Sequence, residues 1–350
     1  MPVTLAQAQI NARDDISHEV IDNLRRYSWV ADQIVWDDTV TPGTNGASLV
    51  YGYTLLKTAR AGAFRAINSE YTPTQAEREQ KTVSLKPLGG AFEVDRVLDG
   101  LGPAQTAEVT FQMQQLLVGT MTKLQDAIIN GDTAVETNGF DGLDKLLVGS
   151  TTEYIPDSAA TDYTDWTVAS VDTQAKANQR LDMIDEWLSS IVPSKTGSGD
   201  LGAPGSLPAG VKAILGNTKS IARMKALARW AAIYTSTKDD LGRQVEKYGD
   251  WVLIDMGDNA LGTGPIIPIE TRSIGTGPAN VTGLTDLYAV TFGMDSFHGA
   301  TMAGKQFVRS WLPDFSTAGA VKTGEIEVGP GAVVLRNTKS AGVLRNVKVS

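Results

Sequence analysis

The chain has 350 residues, 42% of them hydrophobic, and sets 31 Lys plus Arg against 40 Asp plus Glu for a net charge of −9. That much apolar material fills one large or two modest domains and excludes a disordered chain; the acidic balance argues against a surface built to grip phosphate backbones. There is no cysteine, which excludes disulfides, thiolate metal sites and thiol catalysis together.

The N-terminus, MPVTLAQAQINARDD, is polar where a secretory signal would be apolar, and no apolar run approaches a membrane span. A soluble, cytoplasmically made protein is expected. From Thr4 to Val30 the apolar residues Ile16, Val20, Leu24 and Tyr27 recur at helical spacing, predicting an amphipathic arm. SLVYGYTLLK then puts Leu49, Tyr51, Tyr53 and Leu55 on one parity, the two-residue period of a half-buried strand. The stretch INSEYTPTQAEREQKTVS follows, with little to bury beyond Ile67, Tyr71, Ala76 and Val83. The return arm KTVSLKPLGGAFEVD changes face partway: Val83 and Leu85 share one parity, and Leu88, Phe92 and Val94 the other, with Pro87, Gly89 and Gly90 at the switch. A two-stranded hairpin is marginal alone, so its outer part calls for a partner from elsewhere.

After Gly102 and Pro103 a long helix is predicted, with Val109, Met113, Leu116, Leu117, Leu124 and Ile128 along one stripe and Asn130-Gly131 as its stop. FDGLDKLL and a Ser/Thr/Asp-rich link over 150–165 come next. A second helix starts near Thr173, with Leu181, Ile184, Leu188 and Ile191 on one face, and Pro193 ends it. Beyond a Gly/Pro/Ser loop, AILGN reads as a buried strand, and Asn217 caps a third helix through Tyr234. From Trp251 short strand-like runs dominate: WVLIDM, IIPIE, LYAVTFG, QFVRSWL, EIEV and AVVLR. Long helices early, strands late and no βαβ alternation make the chain α+β. NTKS at Asn217 and again at Asn337 is too short to be a repeat with a structural period.

Little of this points to catalysis. GATMAGKQ, 299–306, approaches a phosphate loop, but Gln306 stands where a Ser or Thr is needed, and strand follows where a helix should. The glycine pairs in GTGPIIPIE and GTGPANVTG are turns. Asp132, Glu136, Asp141 and Asp144 lack calcium-loop spacing and read as solvated or capping residues. His18 and His298 are the only histidines, and no nucleophile elbow accompanies either. The basic residues Lys219, Arg223, Lys225 and Arg229, like Arg25 and Arg26, have no interleaved stacking aromatics and read as solvated or ion-paired faces. No catalytic, cofactor-binding or metal residue is assigned, and no cofactor is expected.

The order of elements carries more information than any motif. An arm, a long hairpin, a helix ending in IINGDTAV, then FDGL, a domain containing AILGNTKSIARMKAL, and a closing GEIEVGPGAVVLRNTKSAGVLRNVKVS together resemble the tailed-bacteriophage major capsid protein family with the Hong Kong 97-type fold. The resemblance spans nearly the whole chain. It implies an N-terminal arm over 1–47, an extended E-loop over 48–93, a peripheral domain with its spine helix over 94–138, an axial domain over 139–284, and a return to the peripheral domain over 285–350. It also implies self-assembly as pentamers and hexamers into an icosahedral shell around phage double-stranded DNA, contacted without sequence specificity. That work is structural and not enzymatic, and its place is the virion capsid, assembled in the host bacterial cytoplasm. The arm begins near Met1, so a separate scaffolding protein is expected, together with a portal and possible decoration protein, and no membrane partner. Candidate intersubunit contacts are Arg65, Glu70, Tyr71, Arg78, Glu79 and Lys81 in the hairpin, Leu24 and Tyr27 in the arm, and Asp240 and Arg243 in DLGRQVEKYGD, where an axial loop is expected. An encapsulin-like compartment holding a cargo enzyme is the alternative, because it shares the fold.

Overall fold

The computed structural model describes residues 29–41, 49–58, 60–73, 75–99, 108–156, 161–191, 211–230, 235–238, 244–274 and 280–350. The arm as far as residue 28, the start of the long helix, the Gly/Pro/Ser loop, and the candidates Leu24, Tyr27, Asp240 and Arg243 lie outside these residues. In chain order the strands are β1 (Trp36–Val40), β2 (Val50–Thr58), β3 (Glu77–Ser84), β4 (Lys86–Asp95), β5 (Glu153–Tyr154), β6 (Thr164–Asp165), β7 (Lys212–Gly216), β8 (Thr235–Lys238), β9 (Gln244–Tyr248), β10 (Trp251–Asp255), β11 (Glu270–Arg272), β12 (Val281–Thr291), β13 (Phe297–Met302), β14 (Val308–Trp311), β15 (Val321–Leu335) and β16 (Ala341–Lys348).

The described residues form three sheets. A nine-stranded sheet runs β5-β16-β12-β7-β10-β9-β8, with β11 on β12 and β6 on β16; a five-stranded sheet runs β1-β13-β15-β14, with β4 also on β15; β2 and β3 pair only with each other. The runs AILG and LYAVT are apolar throughout because both faces of the larger sheet are covered. Successive residues point to opposite faces of a strand, so Ile214, Leu287, Ala289 and Leu344 join one core, packed with the helices Gln174–Ser190 and Thr218–Trp230. Their neighbours Ala213, Leu215, Tyr288, Val290 and Val343 join the other core, which continues into the smaller sheet and the long helix Glu108–Asn130.

The described part of that long helix has 23 residues, about 35 Å at the standard rise. Leu124, Ile128 and Ile129 are buried on it, but Leu117 is exposed. Leu117 follows Leu116 directly and is rotated about 100° away from the stripe the spacing had placed it on. Gln125 is fully buried and acts as a clip: its Oε1 accepts from Val30 N at 3.1 Å and its Nε2 donates to the Met256 carbonyl at 3.0 Å. The root of the arm, the helix and the end of β10 are thereby tied together.

Asn217 does cap the third helix, with Oδ1 accepting from Ser220 N at 2.9 Å. The same side chain donates to Thr285 Oγ1 at 2.6 Å and to the Ile267 carbonyl at 3.1 Å. Asn337 opens its short turn in the same way, accepting from Lys339 N at 3.0 Å, so both NTKS copies reflect shared capping chemistry and not a repeated domain. Asn217→Ala is expected to cost about 2 kcal/mol, through the lost cap and the groups left unpaired, read as a lower denaturant midpoint at unchanged slope.

Several local expectations are corrected. The link over 150–165 contributes β5 and β6, each pairing in parallel with β16. IIPIE is a loop that buries Ile266 and Ile267 before β11 begins at Glu270. EIEV and AVVLR are one strand, β15, whose pairing with β4 shifts register between Val328 and Gly331. The expected end of the third helix at Tyr234 lies outside the described residues, which carry it as far as Trp230. The face change in the return arm falls at Leu85, between β3 and β4, and not at Pro87-Gly90. There the chain leaves β2 and joins β15. The glycines answer a different need: a Cβ built on Gly90 would lie 2.6 Å from Leu116 Cδ1, so Gly90 lets the long helix approach the sheet.

Candidate functional site

Hairpin β2–β3 is anchored at one end and free over the rest. Tyr51 and Tyr53 lie on the buried parity, as the alternation predicts, and Leu85 closes the root beneath them with its N–H bonded to the Leu49 carbonyl at 2.8 Å. The Tyr51 hydroxyl donates to Asp37 Oδ2 at 3.0 Å, and the Tyr53 hydroxyl reaches the Leu335 carbonyl at 3.4 Å. Burial and the Asp37 hydrogen bond push the Tyr51 hydroxyl above the usual tyrosine value, and burial does the same for Tyr53. Both remain neutral donors.

From Leu56 to Thr82 every described residue is exposed. The hairpin therefore stands away from its own body. Its ladder is regular, with Tyr53 opposite Lys81, Leu55 opposite Glu79 and Leu56 opposite Arg78. Lys57 pairs with Glu77 at 3.7 Å and Lys81 with Glu79 at 3.8 Å, but such exposed pairs contribute little. At the tip, Arg65 Nη1 donates to the carbonyls of Ala66 and Ser69 at 3.2 and 3.1 Å, and its guanidinium sits 5.3 Å from the centroid of the Tyr71 ring. A tight turn with Asn68 at φ 68° completes this end.

Six candidate contact residues are thus brought onto one projection: Arg65, Glu70 and Tyr71 at the tip, and Arg78, Glu79 and Lys81 along β3. Sequence reasoning missed the apolar part. Phe64 is 108% exposed and Ile67 90%, next to Tyr71 at 62%. Three large apolar or aromatic side chains thus lie in solvent on one short projection, with nothing of their own chain over them among the described residues. The signal was present in AGAFRAI, where two large apolar residues stand among small ones on either side of Arg65, but without strand or helix periodicity it does not register as a core pattern.

The alternatives fare worse. GATMAGKQ begins as β13, and Gly299 is there because Trp36 packs on it: a built Cβ would lie 2.3 Å from Trp36 Cε3. No helix N-terminus follows to receive a phosphate. His298 is fully buried and faces Tyr51, so it can meet no substrate. Asp132 pairs with Lys145 at 2.8 Å, Glu136 with Lys123 at 3.5 Å, and Asp141 accepts from Thr133. Among the described residues no group of His, Asp or Glu is arranged to hold a metal. Lys225 pairs with Glu246, and Arg223 donates to the Val349 carbonyl at 3.5 Å.

A cleft of about 570 Å³ lies between the end of the long helix and the larger sheet, lined in part by Asp144, Glu270, Arg272, Asp286, Tyr288 and Arg345. Its charges are already spent on one another. Arg345 bonds Glu153 at 2.9 Å, Asp286 at 3.1 Å and also Asp144; Arg272 bonds Asp286 at 2.7 Å; Tyr288 donates to Asp144 at 2.8 Å. Burial alone would lower the Arg345 guanidinium, but Asp286, Tyr288 and Asp144 reverse it and hold the group above the ordinary arginine range. This is a structural clamp joining β12, β16 and the FDGLDKLL segment.

No family model and no curated protein sequence matches the chain. Solved structures do. The holo-SrpI encapsulin complex from Synechococcus elongatus matches with TM-score 0.61 at 11% identity, covering 100% of this chain and 98% of that one. The capsid of a native GTA particle matches with TM-score 0.53 at 11% identity, covering 98% of each chain. A chain of Mycobacterium phage Bobi matches with TM-score 0.50 at 12% identity, covering 100% of both. Similarity end to end at such low identity establishes a shared architecture. The chain has the Hong Kong 97-type α+β fold, the fold common to these capsid and encapsulin chains. Among the described residues, no helix is long and apolar enough to cross a membrane.

Proposed function

We propose that this chain is the major capsid protein of a tailed bacteriophage, building an icosahedral shell of pentamers and hexamers around double-stranded DNA. The observation that carries this reading is the hairpin. An isolated two-stranded ribbon is marginal in water, yet this one projects from a body similar in fold to capsid chains, with Phe64, Ile67 and Tyr71 at its end. Docked across a sister subunit, it would gain the burial that its own chain does not provide. Repeated around a closed lattice, many modest contacts add up to a stable wall.

On this reading β2 to β4 form the E-loop and the helix Glu108–Asn130 is the spine of the peripheral domain. The axial domain covers 139–284, and 285–350 returns to the peripheral domain. Arg65, Glu70, Tyr71, Arg78, Glu79 and Lys81 meet a neighbour through the hairpin, Leu24 and Tyr27 through the arm, and Asp240 and Arg243 around the axes. The net charge of −9 suits a wall that contains DNA without gripping it. The role is structural and not enzymatic, in the virion, with assembly in the bacterial cytoplasm. A scaffolding protein, a portal and, where the outer surface is covered, a decoration protein would complete the partners.

Electron microscopy of particles purified from infected cells tests the proposal: closed icosahedral shells containing DNA are expected. An encapsulin-like compartment is the second reading, favoured by the TM-score of 0.61 to the SrpI complex. It predicts shells of the same fold enclosing a protein cargo and no DNA. A small soluble oligomer at high concentration would overturn both.

A further inference from the structure

Asp37, Tyr51 and His298 form a chain of polar side chains, exposed by 6%, 5% and 0%, at the point where the free hairpin meets the body. Tyr51 comes from β2, Asp37 from β1 and His298 from β13. The Tyr51 hydroxyl has a single proton and donates it to Asp37 Oδ2 at 3.0 Å, so toward His298 Nε2, 3.4 Å away, it offers a lone pair. That fixes the neutral imidazole as the tautomer with its proton on Nε2. Nδ1 is buried and makes no hydrogen bond of ordinary geometry, although the Ser296 backbone favours a proton on the ring. In the neutral ring this nitrogen is an acceptor; after protonation it would be a donor and a buried charge, a more costly state.

The groups facing the ring pull both ways. Burial and then Arg336, beyond the end of β15, push the imidazole below the usual histidine value, against Asp37 on β1, the Ser296 backbone and Asp295 ahead of β13. Tyr53 on β2 adds a neutral ring, 6.2 Å from that of Tyr51.

We propose that His298 is an acid-operated latch at the root of the hairpin: neutral, it holds Tyr51 in place, and protonated, it releases the hairpin from the body. A group held below its unfolded value contributes full stability above that value, near pH 6.5, and loses it as the pH falls toward the folded one. The hairpin would therefore be fixed at neutral pH and free to swing in mild acid, while the two cores, whose described residues contain no other histidine, stay folded. The latch does not rest on the shell-wall reading, since all three residues belong to one chain.

Amide hydrogen exchange of the full-length protein at pH 7.5 and pH 5.0, corrected for intrinsic rates, provides the test. In the wild type, protection over 50–55 and 297–300 is expected to fall about tenfold or more at pH 5.0, with the core of β12 and β16 unchanged. In His298→Gln, whose amide can still donate to Tyr51 but does not titrate, protection should change less than about twofold. Equal wild-type protection at both pH values would overturn the proposal, as would the same loss in the glutamine variant. If that variant does not fold, the wild-type ring is followed by NMR: a His298 titration midpoint that coincides with the loss of protection supports the latch, and one that does not coincide overturns it.

Discussion

A chain carrying Phe64→Asp and Ile67→Asp is expected to fold like the wild type and to fail to form shells. Both side chains already lie in solvent, so their replacement removes no burial within the subunit and should move its stability by no more than about 0.5 kcal/mol. In a closed lattice the same side chains would be covered. Burying each contributes about 1.5–3 kcal/mol, and a carboxylate in its place must also be desolvated. A loss of about 3–6 kcal/mol per docked tip raises the concentration needed for assembly roughly a hundred- to ten-thousand-fold. Thermal melting at the wild-type midpoint combined with only small species on size exclusion is the expected pair of results. Normal particles at wild-type concentration would show that the tip docks on nothing.

The second large effect is expected inside the subunit. Arg345→Met removes the cation that Asp144, Glu153 and Asp286 share. Arg272 still faces Asp286, but Glu153 and Asp144 lose the cation that they bond among the described residues, and Asp286 is 4% exposed. Breaking a buried pair from one side costs about 3–5 kcal/mol, a large share of a domain's total stability. Arg345→Lys should recover only part of it, because a single ammonium cannot span three carboxylates as a planar guanidinium does. Chemical denaturation of the three proteins checks this order, and a methionine variant as stable as the wild type would show that the clamp is dispensable.

The two effects differ in how visible they are in the sequence. Arg345 and its partners are separated by 59 to 201 positions, and nothing local marks them as a set. The hairpin announces itself, since alternation from Leu49 to Leu55, a stretch without burial and a resumed alternation leave few other shapes. What alternation does not reveal is the partner of each strand. The return arm is continuous in sequence yet belongs to two sheets, because Leu85 turns inward and β4 finds β15. The loop IIPIE was read as a strand and the strand FHGATM was not picked out, for a related reason: β-propensity describes a residue suited to burial on a sheet, and Ile266 and Ile267 achieve burial without one, while the Gly299 that breaks the apolar pattern of β13 is required by Trp36.

The sequence by itself determined the class of fold, the long helix and its stop, the capping asparagine Asn217, and the strand parity of Tyr51 and Tyr53. These follow from interactions within a few residues, which periodicity and capping record directly. Only the tertiary structure decided that the hairpin stands clear of its own body with Phe64 and Ile67 at its end, that Asp37, Tyr51 and His298 meet beneath it, and that Arg345 gathers three carboxylates. Those arrangements depend on which distant segments are brought together, and strand pairing and side-chain contact over such separations leave no local pattern in the chain.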